Sequence, residues 1–126
     1  MNRLESLLDG IASLKGWSNP DSHTYQIRNP LLIKSFAVPP KHEIDEEGTR
    51  IFSTWDAGYR ACLFDLKKKI SGTSRAGLKQ TDTLAALLRV YGLSEKLGQQ
   101  QVVKFVKRAL KRDDINLDTP LSFFQE

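Results

Sequence analysis

The 126-residue sequence is poor in cysteine and histidine and has no long apolar run. Its single cysteine, Cys62, excludes a disulfide within the chain and fits a reducing compartment. Two isolated histidines, His23 and His42, without a second cysteine do not indicate a structural zinc site, and no motif indicates another cofactor. The longest uninterrupted apolar runs are four or five residues, too short for a transmembrane helix.

The overall composition is that of a globular protein. Apolar residues make up 40% and charged residues 27% of the chain, and the length suits a single domain over residues 1–126. The N-terminal segment carries Glu5 and Asp9 where a signal peptide has its apolar stretch. We therefore expect a protein that stays in the cytoplasm, unless a phage particle or a lysis system carries it out.

Positive charge exceeds negative charge along the chain. There are 19 Lys and Arg against 15 Asp and Glu, which gives a net charge of +4 and a pI near 9.3. This balance favours acidic partners, such as nucleic acid, peptidoglycan or another anionic wall polymer. A protein partner also stays open, because acidic and basic residues are interspersed.

Helical periodicity dominates the sequence. Residues 3–14 place apolar side chains at i, i+3, i+4, i+7 and i+8, which predicts an amphipathic helix. Further helices are predicted from Ser53 to about 70, over 82–91, over 95–112 and, in a short form, after Pro120. Between the first two helices, an extended stretch over 31–38 and a polar turn at Glu47-Gly48 predict a small β hairpin. The predicted fold class is α+β, mostly α, with this hairpin after the first helix and a bundle of about four helices.

Several short motifs follow one another in a fixed order. They are Ile11–Trp17 (IASLKGW), Ser22, Tyr25, Asn29-Pro30, Ile33, Lys34, Asp45–Gly48 (DEEG), Phe52, Ala57–Ala61 (AGYRA) and the late DTPLSFF. In order and spacing they resemble phage-associated lysozyme-like domains. In those domains the first helix ends in Ile-Ala-x-x-Glu-Gly-Trp, and the next loop contains Asn-Asn-Pro-Gly-Asn-Leu. The resemblance covers residues 7 to 124 and implies a lysozyme-like fold and a peptidoglycan ligand.

The resemblance also shows two departures from the family. The position of the acid that protonates the glycosidic oxygen is held here by Lys15. In the Asn-rich loop the expected Asn, Asn, Gly and Asn are replaced by Ile27, Arg28, Leu31 and Leu32. Glycoside cleavage needs a neutral carboxylic acid with a pKa raised to ~6, whereas an ordinary lysine has a pKa of ~10.4. A cation there would also repel the positive charge that develops in the transition state.

The residues therefore favour a catalytically degenerate, lysozyme-like binding or structural module of a phage or bacterium. If it retains glycan binding, the resemblance and the residue types suggest four contacts: Trp17, Tyr25, Asn29 and Lys34. Aromatic rings can stack on sugar faces, although such residues more often pack in or around the core. Cys62 lies on the apolar stripe of its helix, so we expect it to be buried rather than nucleophilic.

Two other functions stay open. The first is an active peptidoglycan glycosidase or lytic transglycosylase whose acid has moved into the 43–47 hairpin, with Glu43 and Glu46 as candidates. Glu5 in LESLL is a weaker candidate, since it lies near the start of its helix. The second is a small basic helical protein that binds nucleic acid or a protein through one basic surface. That surface comprises Lys104, Lys107, Arg108, Lys111 and Arg112.

Overall fold

Helices form about half of the protein in the computed structural model, which describes residues 2–35, 41–74 and 76–125. Within these residues the helices are α1 (Arg3–Leu14), α2 (His23–Gln26), α3 (Trp55–Ser71), α4 (Leu84–Val90), α5 (Lys96–Leu110) and a 3-10 helix (Leu121–Phe124). The predicted helical character is confirmed, and the long helices lie where periodicity placed them. The short helix α2 lies in a segment that was predicted as loop.

Side-chain caps explain where several helices begin. Asn2 and Glu5 form a reciprocal capping box at the start of α1. Thr54 accepts a hydrogen bond from the Ala57 amide at the start of α3, one residue after the predicted Ser53 cap. The short helix α2 begins after Asn19-Pro20-Asp21, residues typical of turns. Its start is stabilised by Ser22, whose hydroxyl accepts a hydrogen bond from the Tyr25 amide.

The core forms around α1, which packs against α5, α3 and the 3-10 helix. Leu7, Leu8 and Ile11 of α1 are fully buried. Gly10 allows the close approach of α5, since a Cβ there would lie 3.3 Å from the Phe105 ring. Cys62 is also fully buried, as predicted. In the described residues no helix combines the length and apolar character needed to cross a membrane.

The predicted β hairpin, and with it the α+β class, is wrong. Between α2 and α3 the described residues form only two isolated antiparallel bridges, Lys34 with Thr49 and Ile44 with Arg50, and no sheet. A few backbone hydrogen bonds accompany the bridges, such as Arg50 N to the Ile33 carbonyl and Asp45 N to the Thr49 carbonyl, but they do not continue into a ladder. Side-chain hydrogen bonds add to them. Asn29 binds the backbone of Ile33 and Arg50, and the Asp45 carboxylate accepts from the amides of the turn after it. Residues 36–40, part of the predicted extended stretch, lie outside the described residues.

Candidate functional site

A groove of about 510 Å³ lies beside the C-terminal end of α1. Its walls come from six parts of the chain: Lys15 after α1, His23 of α2, residues 31–34, the segment around Glu47 and Thr49, one side of α3, and the end of α4 with the two residues after it. The α3 and α4 parts contribute mainly Asp65, Lys69 and residues 90–92. We call this surface the Lys15 groove.

Lys15 occupies an unusual electrostatic position in this groove. Its backbone amide closes α1 by donating to the Ala12 carbonyl at 3.0 Å. Its ammonium reaches across to α4, where it lies 3.9 Å from the position of a Cβ on Gly92. Lys15 is half-buried, and this desolvation lowers its pKa. Nowhere in the described part of the chain does a side chain or carbonyl accept a hydrogen bond from this ammonium.

The α3 side of the groove holds a different kind of charge. The Asp65 carboxylate accepts a hydrogen bond from the Tyr91 hydroxyl at 2.7 Å and pairs with the Lys69 ammonium one helical turn later. Burial raises the pKa of Tyr91 above its usual range, and the Asp65 charge adds to the effect. Asp65 is thus a hydrogen-bond acceptor for two donors, one from α3 and one from the residue after α4.

The rim of the groove is ordered by a hydrogen bond between His23 and Asp45. His23 Nε2 lies 2.7 Å from Asp45 Oδ2, and Asp45 Oδ1 accepts from the amides of Glu47 and Thr49 at 2.8 and 2.9 Å. The His23 hydrogen bond, followed by the Thr49 amide, lowers the pKa of Asp45 to about 2. Lys34 stands at the same rim, with Nζ 3.3 Å from Thr49 Oγ1.

The acidic residues that were predicted as a relocated general acid, Glu43 and Glu46, do not line the Lys15 groove. Both are exposed. They lack the apolar surroundings that keep a catalytic carboxylic acid neutral at pH 7. Glu5 lies at the far end of α1, where it belongs to the capping box. Of the 43–47 turn, Glu47 lines the groove, and its side chain is exposed.

Of the four predicted glycan contacts, only Lys34 lines the groove. Asn29 is fully buried, and its amide group is used inside the protein, so it cannot reach a ligand. Trp17 and Tyr25 instead pack edge-on against Trp55, with ring centroids 5.2 and 4.4 Å away. This aromatic cluster lies outside the groove lining; Trp17 and Tyr25 are half-buried in it, and Trp55 is exposed.

Sequence reasoning missed Asp65, Lys69 and Tyr91 as groove residues. The i, i+4 spacing of Asp65 and Lys69 on a predicted helix indicated an ion pair. Nothing in the sequence indicated that α4 would bring the Tyr91 hydroxyl to the same carboxylate.

The predicted basic surface is present on α5 and just after it. Lys104, Lys107, Arg108, Lys111 and Arg112 surround a shallow depression of about 360 Å³. Arg112 is neutralised by Asp114, to which its guanidinium donates at 2.9 and 2.7 Å. The other four side chains make no ion pair with the described residues.

Searches of protein-family models, curated proteins and solved structures return no match to this chain. No group of three or more His, Cys, Asp or Glu in the described ranges is placed to hold a metal ion.

Proposed function

We propose that this protein derives from a peptidoglycan hydrolase and now binds, without cleaving, an acidic glycan in the Lys15 groove. The observation that carries the proposal is the Lys15 ammonium, which is half-buried in a groove and has no acceptor within the described residues. Peptidoglycan is the first candidate ligand, and other anionic wall polymers share the chemistry.

The charge of Lys15 accounts for the type of ligand. A desolvated cation without a partner is unfavourable, and a carboxylate or phosphate of a bound polymer would supply the missing acceptor. Lys34 adds positive charge at the rim, whereas Lys69 is already paired with Asp65. A ligand with one negative group near Lys15 and neutral sugar elsewhere would therefore match the groove.

The same residues argue against cleavage. A glycosidase needs a carboxylic acid that gives up its proton as the bond breaks. In the groove, Asp65 is held by two donors and Lys15 is a cation. General acid catalysis typically contributes about 10²–10⁴ in rate, so a groove without it would retain little activity.

Two backbone features support descent from the lysozyme-like family. Arg28 and Leu32 both have φ of +56°, a left-handed conformation that Asn adopts far more readily than Arg or Leu. These are two of the positions where the family motif has Asn. Gly58, in the AGYRA motif, contacts the Arg28 backbone so closely that no side chain fits. The loop thus keeps a backbone suited to the family residues after the residues themselves have changed.

Sedimentation with purified, insoluble peptidoglycan tests the binding. Lys15→Gln should weaken binding by about tenfold or more, since a charge-assisted hydrogen bond contributes about 1.5–3 kcal/mol. Lys67→Gln, which removes the same charge from an exposed position of α3 outside the groove lining, is the matched control and should bind like the unmodified protein. Equal binding by Lys15→Gln and the unmodified protein would exclude the Lys15 groove as the ligand site.

Turbidity clearing of the same peptidoglycan tests the absence of cleavage. The unmodified protein should not clear the suspension. Clearing by Lys15→Glu alone would place Lys15 at an ancestral acid position, whereas silence of both proteins would mean that the groove has changed beyond its acid. Clearing by the unmodified protein would refute the proposal. The variants Glu43→Gln and Glu46→Gln would then show which carboxylate the clearing activity requires.

A further inference from the structure

The positive charge of this protein is concentrated in one segment. Residues 96–112 contain six of the 19 Lys and Arg and none of the 15 Asp and Glu. The rest of the chain therefore carries 13 basic and 15 acidic side chains and is slightly acidic. The net charge of +4 thus depends entirely on α5 and the two residues that follow it.

Four of these cations share one face of α5. Lys104, Lys107, Arg108 and Lys111 follow the i, i+3, i+4, i+7 spacing, which places them within a ~100° sector along about 10 Å of helix. The opposite face, with Val102, Val103 and Val106, is buried in the core. The four side chains border the shallow depression at the end of α5, which Asp113 also lines. None of the four forms an ion pair with the described residues.

Helix stability alone does not account for this arrangement. Cations near the C-terminal end of a helix interact favourably with its dipole, but the effect is confined to the last turn. Lys104 lies before the last turn of α5, which ends at Leu110. Like charges at i, i+4, such as Lys104 and Arg108, repel each other and destabilise a helix. An external polyanion would relieve this repulsion.

We propose that this face of α5, the α5 basic face, binds the phosphate backbone of a nucleic-acid duplex. The four unpaired cations indicate a polyanionic partner by charge complementarity. Two structural features then favour a duplex over single-stranded nucleic acid and over a membrane. The exposed large apolar side chains of the described residues are Trp55, Phe64, Val90 and Leu97, and none belongs to this face, so it has no aromatic platform for unpaired bases. The apolar side of α5 is buried, so the helix cannot lie in a membrane surface as amphipathic anchors do.

Binding to phosphates would be independent of base sequence and strongly dependent on salt. Each phosphate contact contributes a slope of about −0.9 to log K against log salt concentration, so four contacts predict a slope of about −3.6. Affinity should therefore fall about 100-fold between 50 and 200 mM salt. This activity is independent of the Lys15 groove.

Fluorescence anisotropy with a labelled 20-base-pair DNA duplex tests the proposal on the full chain. The double variant Lys104→Gln/Arg108→Gln should reduce the slope to about −1.8 and weaken binding at least tenfold at 50 mM salt. Both residues are exposed, and a thermal unfolding curve like that of the unmodified protein will show that the fold is kept. The matched control, Lys67→Gln/Lys68→Gln on exposed parts of α3, removes the same charge and should bind within twofold of the unmodified protein.

Four results would overturn the proposal. Equal weakening by the α3 control would attribute binding to net charge, and equal or tighter binding of the unpaired strand would exclude duplex backbone recognition. Loss of duplex binding in Lys15→Gln would assign the polyanion to the groove instead. No binding at 50 mM salt, or binding only to vesicles with anionic lipid, would exclude a nucleic-acid partner.

Discussion

Gly58 of α3 lies against the backbone of Arg28, and a Cβ atom at position 58 would be only 1.7 Å from the Arg28 carbonyl oxygen. This contact fixes the loop after α2 to the first turns of α3. Gly58→Ala should lower the free energy of unfolding by about 3 kcal/mol, because the clash is with backbone and no side chain can rotate to relieve it. Urea denaturation followed by circular dichroism measures the loss.

Gly98 provides a matched control for this substitution. It lies in α5, and a Cβ there would meet no atom within 4 Å. Gly98→Ala should therefore raise stability by up to about 1 kcal/mol, the helix preference of alanine over glycine. Equal effects of the two substitutions would contradict the close contact between Gly58 and Arg28.

Asn29 connects the same loop to the segment that follows it. Its Nδ2 donates to the carbonyls of Ile33 and Arg50 at 3.0 and 2.9 Å, and its Oδ1 accepts from the Ile33 amide. Asn29→Ala would leave the Arg50 carbonyl and the Ile33 amide without this partner, whereas the Ile33 carbonyl still accepts from the Arg50 amide. We expect a cost of about 3 kcal/mol in unfolding free energy. Asn19→Ala, in an exposed turn, should cost less than about 1 kcal/mol in the same urea titration.

The reactivity of Cys62 reports on the same region. Its thiol is fully buried and donates to Asn29 Oδ1 at 3.3 Å, and burial raises its pKa to about 12. Because the thiolate is the reactive form, Cys62 should react with a disulfide reagent at pH 8 only as fast as the protein opens. Asn29→Ala should accelerate the reaction. Modification of the native protein at the rate of a free thiol would contradict the burial.

The His23–Asp45 pair predicts how stability depends on acid pH. Asp45 has a pKa of about 2 in the folded protein and 3.8 as its ordinary value. The unfolded chain takes up the proton first, so the contribution of Asp45 is fully present above pH ~4 and is lost as the pH falls towards 2. The difference between the urea midpoints of the unmodified protein and Asp45→Asn should be largest at pH 5 and should shrink steadily as the pH falls through about 2. A difference that stays constant over this range would contradict the prediction.

Periodicity in the sequence was sufficient to predict the long helices. The stripes of α1, α3 and α5 each place their apolar residues on a single face, and those faces form the core. The hairpin was wrong because alternation and a Glu-Gly turn indicate extended backbone but not how far the pairing continues. Here the pairing stops at two isolated bridges, and the side chains of Asn29 and Asp45 hold the rest of the segment.

Less of the site than of the fold could be predicted from the sequence. Lys15 could be singled out because it stands at the end of the first helix in a motif that resembles a known enzyme. The groove itself depends on contacts distant in sequence, such as Tyr91 with Asp65. Asn29 was misassigned as a ligand contact because a motif shows that an Asn is present, but not whether its amide faces solvent or the backbone.

Leu32 tests whether the loop backbone reflects an ancestral Asn. A backbone φ of +56° is left-handed, and this conformation costs a residue such as Leu about 1–2 kcal/mol. Asn adopts it more readily. Leu32→Asn and Leu32→Ala both remove the half-buried leucine, so their difference isolates the backbone preference. The Asn variant should be more stable by about 0.5–1 kcal/mol, measured by urea denaturation.

Leu63 provides the control, since it is also half-buried but lies inside α3. There, Asn is a poorer helix residue than Ala, so Leu63→Asn should be less stable than Leu63→Ala by about 0.7 kcal/mol. The order of the two variants should thus reverse between positions 32 and 63. If Ala is preferred at both positions, residue 32 does not require a left-handed backbone, and descent from the Asn-bearing loop loses its structural support. A reversal would show that the backbone at Leu32 favours the residue that the lysozyme-like motif carries there.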